Sequence, residues 1–158
     1  MWRRLKRVAP VFVVLFGLVF AGAQLVRPKR TNPPTDINRT LQSVAGTGSE
    51  LVKVVDRSCG DCHSNATVWD RYTNIAPVSW LIVRGVTEGR KVLNFSEWTA
   101  YPPEAKRALL AASCRDASNG TMPMRAYLLF RPEARLSPRD VETICAATNT
   151  VAQSRSGR

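Results

Sequence analysis

The chain has 158 residues, 44% of them hydrophobic, with 23 Lys and Arg against 12 Asp and Glu and a formal net charge of +11. That length accommodates one compact domain and an appendage. The positive charge raises the question of nucleic acid, but the first seven residues hold four of the basic side chains and the rest are dispersed rather than gathered into a stripe. A solvated basic surface, or a match to acidic partners, propionate groups or lipid headgroups, is the reading that remains.

The appendage is N-terminal. "MWRRLKR" precedes "VAPVFVVLFGLVFAGAQLV" (8–26), 19 residues without a charge. This is near the ~20 residues that cross a bilayer as a helix. A signal peptide also fits, with "AGA" at 21–23 as a small-residue cleavage site. The apolar run continues through Leu25 and Val26, which favours a retained anchor. Residues 1–26 are therefore expected to be a signal-anchor or a signal peptide, with everything after them exported. Arg3, Arg4, Lys6 and Arg7 before the run only slightly outweigh Arg27, Lys29 and Arg30 after it, so the charge rule supports this orientation weakly.

Residues 27–46, polar and carrying three prolines, predict an extended tether. Residues 47–152 are expected to form the domain, and every regular element recognisable in them is helical. Thr47 and Glu50 have the spacing of a capping box, and Leu51, Val52 and Val55 form an apolar stripe leading into Cys59. Helices are expected over 77–94, with Gly85 and Gly89 as weak points, and over 102–120, which opens on prolines and closes on Gly120. A last one covers 136–152, with Ser137 as N-cap, Pro138 in the first turn and Asp140 completing the box. Val141, Ile144, Cys145 and Thr148 share one of its faces. No alternating strand appears, so the domain is expected to be all-α, with 153–158 a disordered tail.

The chemistry is concentrated in "RSCGDCHSNAT" (57–67), which holds Cys59, Cys62 and His63, the sole histidine. Cys-x-x-Cys-His attaches haem covalently, each thiol bonding a vinyl group and the imidazole binding iron. A thioredoxin-like pair would sit between a strand and a helix, and no strand flanks this one. Zinc would need a fourth ligand from Cys114 or Cys145, at a spacing unlike a second knuckle. One covalent haem c is the expectation.

For the second axial position the candidate is Met122 in "NGTMPMRAY", 59 residues after His63 and followed by proline. Met124 is a poorer candidate, and core filling is the plain alternative for either. Helix, Cys-x-x-Cys-His, middle helices, Met-Pro and a C-terminal helix is an order that resembles class I cytochrome c. A thioether opposite a histidine favours ferrous iron.

A closer resemblance lies in "SCGDCHSNATVWDRYTNIAPVSWLIVRGVTEGRKVLNFSEW" and "GTMPMRAYLLFRPEARLS". Over about 27–147 the chain resembles the haem-binding-domain family of small membrane-anchored bacterial proteins. "CHSN" together with "LNFSEW" is far more specific than Cys-x-x-Cys-His alone. The chain departs from that pattern at Arg131, where members often carry histidine, and at Gly85, where an acidic residue is usual. The resemblance implies a cytochrome c-like mono-haem domain, held at the bacterial inner membrane and facing the periplasm, or cleaved and soluble there.

The other nitrogen of His63 is expected to donate to the carbonyl of Ala76 or Pro77. Trp80, Trp98, Phe95, Tyr72 and Tyr127 are candidate haem walls or plain core, and Arg71, Arg84 and Arg90 candidate propionate partners or plain surface. Cys114 and Cys145 are expected to pair in an oxidising compartment, against the alternative of two small buried apolar side chains. Three functions compete: a tethered electron carrier with redox partners at the membrane, a gas sensor or peroxidase with an open iron, and a haem subunit of a respiratory complex. No nucleophile or general base stands out, which argues against catalysis.

Overall fold

The computed structural model describes the backbone of residues 2–153 and the side chains of 9–148. Among the described residues every regular element is helical, as the absence of alternating patterns predicts. Two compact units form: one joins the chain up to Thr31 with Trp69–Gly85, the other joins Asn32–Val68 with the chain from Val86 onward.

In the first unit, α1 (Trp2–Ala23) carries the uncharged run and ends in a turn at Gln24. Its large apolar side chains from Val11 to Phe20 are all exposed. Among the described residues no helix is long and apolar enough to cross a membrane, and the side chain of Val8, where the run begins, lies outside them. A 3-10 turn at Arg71–Asn74 follows, with Thr73 buried and its hydroxyl donating to Asp70 O at 2.6 Å.

The second unit opens with a 3-10 turn at Ile37–Arg39, capped by Asp36, and with α2 (Leu41–Ala45), capped by Thr40. Leu41 is buried in the core. The extended stretch expected over 27–46 is thus interrupted by structure from Ile37 on, because Asp36 and Thr40 each accept a main-chain N–H two or three residues ahead and start a turn. α3 (Glu50–Ser58) is capped by Ser49, whose Oγ accepts from Val52 N at 3.3 Å. The cap expected at Thr47 falls at Ser49 instead, because Thr47 lies within a turn in which Ser49 N donates to Gly46 O at 3.1 Å.

Val52 and Val55 pack with Leu41, Leu93, Phe95, Trp98 and Leu110 in the main core. Val54, on the opposite side of α3, joins Ala117 and Ile144 in a second cluster. α5 (Val78–Val92), α6 (Pro103–Ser118) and α8 (Pro138–Gln153) lie where the sequence predicts them, while α4 (Gly60–His63) and α7 (Arg125–Leu128) are single turns. α6 ends at Gly120, whose φ of +65° is a conformation glycine adopts without Cβ strain. The capping box of α8 forms: Ser137 N donates to Asp140 Oδ2 at 2.7 Å, and Asp140 N donates to Ser137 Oγ at 3.2 Å.

Cys114 and Cys145 form a disulfide with 4.7 Å between Cα atoms, joining α6 to α8. Closing that loop contributes roughly 3–4 kcal/mol in the chain-entropy model. The tail expected at 153–158 lies outside the described residues from 154 on.

Candidate functional site

α3 delivers the chain to Cys59, whose N–H still donates to Val55 O at 2.8 Å. The backbone then bends, and α4 makes one turn in which Cys62 N and His63 N both donate to Cys59 O, at 3.2 and 2.9 Å. Residues three and four apart in a helical turn share a face. Cys59, Cys62 and His63 therefore form one local group, with both thiols free.

The imidazole is held from behind. Nδ1 lies 3.0 Å from Leu93 O. A carbonyl oxygen only accepts, so this bond puts the proton on Nδ1 and leaves the Nε2 lone pair for a metal. Phe95 meets the ring edge-on at 6.5 Å between centroids. The partner expected at Ala76 or Pro77 is thus replaced by Leu93: Ala76 O instead accepts from Gln24 Nε2 at 3.3 Å.

Both thiols are pushed up. Burial raises Cys59 to about 12, with the neighbouring Cys62 adding to it, and burial followed by the Asp61 charge raises Cys62 to about 11. At neutral pH both are S–H groups. A thioredoxin-type pair needs one lowered thiol as its nucleophile, so that chemistry is not what this environment favours. Nor does the zinc reading gain its fourth ligand, since Cys114 and Cys145 are bonded to each other. Among the described residues no group of three His, Cys, Asp or Glu side chains has metal-holding geometry.

The segment after His63 is clasped to the one after α5. Asn65 is buried, its N–H donates to Ser96 Oγ at 2.9 Å, and its Oδ1 accepts from Asn94 Nδ2 at 2.8 Å. Asn94 in turn caps the 3-10 turn Phe95–Ala100, its Oδ1 accepting from Ser96 N at 3.0 Å. "CHSN" and "LNFSEW" are therefore two halves of one clasp. Gly89 lets α5 press against the attachment turn: a Cβ there would lie 2.6 Å from Cys62 O. The sequence reading treats Gly89 as a weak point in a helix, whereas close approach of two backbones requires it.

Arg90, a propionate candidate, is committed to the protein. Its Nε donates to Ser64 O at 2.7 Å and its Nη2 to Thr67 Oγ1 at 2.7 Å and Asn32 Oδ1 at 3.0 Å. Asp61 braces the turn from the other side. Its Oδ1 accepts from Val68 N at 2.9 Å and its Oδ2 from Tyr127 Oη at 2.6 Å, with Arg131 Nη2 at 3.7 Å. Burial first, and the bond to Asp61 second, push the Tyr127 phenol above its ordinary range.

Tyr127 belongs to α7, so the Asp61 bond fastens the methionine-bearing segment to the attachment turn. Met124 immediately precedes α7, and Met122 N donates to Asp116 O at 3.2 Å; both methionine side chains are exposed. Trp98 packs in the core between Phe95, to which it is tilted, and Tyr101, which it meets edge-on. Tyr72, Trp80, Arg71 and Arg84 belong to the first unit.

Leu93, Asn65, Asn94, Ser96 and Asp61 are the positioning residues that sequence reasoning missed. Leu93, Asn65, Asn94 and Ser96 stand inside the two quoted motifs, which was the available signal.

One turn bearing two free thiols and an imidazole with a fixed tautomer could hold a haem. The residues present fit that group: Cys59 and Cys62 for its periphery and His63 Nε2 for its iron. The class defined by this helical fold and site is that of haem-binding proteins. The haem-binding domain family model matches residues 18–150, and the chain belongs to that family. No curated protein and no solved structure matched it.

Proposed function

We propose that this protein is a covalent c-type mono-haem electron carrier, held at the periplasmic face of the bacterial inner membrane by α1. The observation that carries the reading is the local group of Cys59, Cys62 and His63, with His63 Nδ1 held by Leu93 O. When bound, haem supplies a one-electron ferric/ferrous couple. Cys59 and Cys62 would hold it by thioethers, His63 Nε2 would bind its iron, and Leu93 O keeps the imidazole oriented and electron-rich. Met122 is the candidate second ligand that the iron would take. The Tyr127–Asp61 bond keeps its segment attached to the turn that carries His63.

Membrane attachment is supported by the 19 uncharged residues at 8–26 and by the exposed apolar side chains of α1. A redox partner at the membrane is implied by the carrier role.

The test is an absorption spectrum and a pyridine haemochrome assay on the full chain matured with cytochrome c machinery. Covalent haem with the weak long-wavelength ferric band of an iron–thioether bond, and ferrous iron that resists CO, is the expected result. Covalent haem with rapid CO binding would replace the carrier by a sensor or peroxidase. Absence of covalent haem would overturn the c-type assignment.

A further inference from the structure

The chain that leaves α1 is fastened rather than free. Gln24, the first residue after the helix, grips the main chain of Ala76 at both ends: Ala76 N donates to Gln24 Oε1 at 3.0 Å, and Gln24 Nε2 donates to Ala76 O at 3.3 Å. Two residues on, Val26 O accepts from Trp80 Nε1 at 2.8 Å. Arg30 Nη1 donates to Thr73 Oγ1 at 3.4 Å. Residues 24–30 thus lie along residues 73–80, all within the first unit. A flexible tether would make no such contacts.

The clasp also gathers apolar side chains that nothing covers. Leu25 is 85% exposed, Val26 63%, Leu81 68%, Ile75 49% and Trp80 37%. Each is a partner in the clasp or the chain neighbour of one. Scattered exposed apolar residues are ordinary, whereas a group held together beside the end of an apolar helix marks an interaction surface. Trp80 has its N–H satisfied and its ring partly in solvent, the condition of an indole at a membrane–water interface. The same unit carries Arg27, Lys29, Arg71 and Arg84, with Asp70 the one acidic residue among those described. That balance is complementary to anionic headgroups.

We propose that this clasped surface, centred on Trp80 and Leu81, is a membrane-docking face that lies in the headgroup region where α1 leaves the bilayer. The proposal rests on the reading of α1 as a retained anchor. Its occupant is the bilayer itself: the apolar group is continuous with the uncharged run through Leu25 and Val26, and the flanking charge is basic.

The test is a nitroxide attached at Leu81→Cys in the full chain carrying Cys59→Ala and Cys62→Ala, which removes the two other free thiols so that the label has one reactive site. The labelled chain is placed in phosphatidylethanolamine–phosphatidylglycerol vesicles, and collision rates with oxygen and with a water-soluble nickel chelate are compared. The docked face predicts an oxygen-to-nickel ratio several-fold above that of free nitroxide in buffer. A chain that floats with the vesicles but shows a water-like ratio overturns the docking face and leaves the anchor standing. A chain absent from the vesicle fraction overturns both.

Discussion

His63 Nδ1 and Leu93 O, thirty residues apart in sequence, lie 3.0 Å apart in the folded chain. That bond ties the tautomer and orientation of the one histidine to the end of α5. Whatever moves α5 against the attachment turn therefore moves the imidazole.

Gly89 is the tightest point of that contact. Gly89→Ala places a methyl 2.6 Å from Cys62 O, a main-chain atom with little room to yield. Overpacking of this kind costs about 1–3 kcal/mol. The expected outcome is a lowered thermal midpoint together with a lower haemochrome yield. An unchanged midpoint would mean that α5 is not held where the structure puts it.

Asn65 is buried, so truncating Asn94 leaves the Asn65 Oδ1 without that donor. Asn94→Ala removes the donor to Asn65 Oδ1 and the cap on Ser96 N. A loss of about 1–3 kcal/mol in denaturant unfolding is expected, close to that of Asn65→Ala. The double variant should cost less than the sum of the two singles, because they share one network.

Tyr127→Phe removes only the hydroxyl that donates to Asp61 Oδ2. The haemochrome yield should be unchanged. The segment carrying Met122 and Met124 is expected to loosen, so that ferrous CO binding accelerates and the iron–thioether band weakens. A spectrum and CO rate identical to the parent would show that this bond does not govern the methionine segment.

Asp140 gives a pH signature on stability. Burial acts to raise its carboxyl, but hydrogen bonds from Ser137 and the Arg57 guanidinium outweigh that and hold it below the ordinary 3.8. A depressed carboxyl contributes stability that is complete above its unfolded value and disappears as pH falls through the folded one. Asp140→Asn should therefore cost about 1 kcal/mol at neutral pH, the usual cost of a lost cap. The gap to the parent should close as the pH is taken well below 3.8. A gap constant across that range would remove the carboxylate from the account.

Much of the site was legible because its chemistry is local. Cys-x-x-Cys-His places three groups on one turn through helical spacing alone, and the caps at Ser137 and Gly120 are set by residues within three positions of the helix ends. The all-helical fold and the helices at 78–92, 103–118 and 138–153 follow from the same short-range rules. The haem-binding family is legible in "CHSN" and "LNFSEW", two short contiguous stretches within the matched residues 18–150. From sequence Arg90 is a propionate partner or plain surface, because nothing in its neighbourhood shows that Ser64 O and Thr67 need a donor.

What the sequence determined by itself is the ligand chemistry and the helical class, since both depend on side-chain identity and on spacings of three or four residues. What only the tertiary structure decided is the geometry around them: Leu93 O behind His63, Gly89 against Cys62, Asn65 on Asn94, and Gln24 on Ala76. The physical reason is common to all four. Each is a contact between segments roughly 30 to 50 residues apart, and three of them engage a main-chain atom. A backbone carbonyl or amide is the same at every position, so no residue letter can announce which one will be chosen.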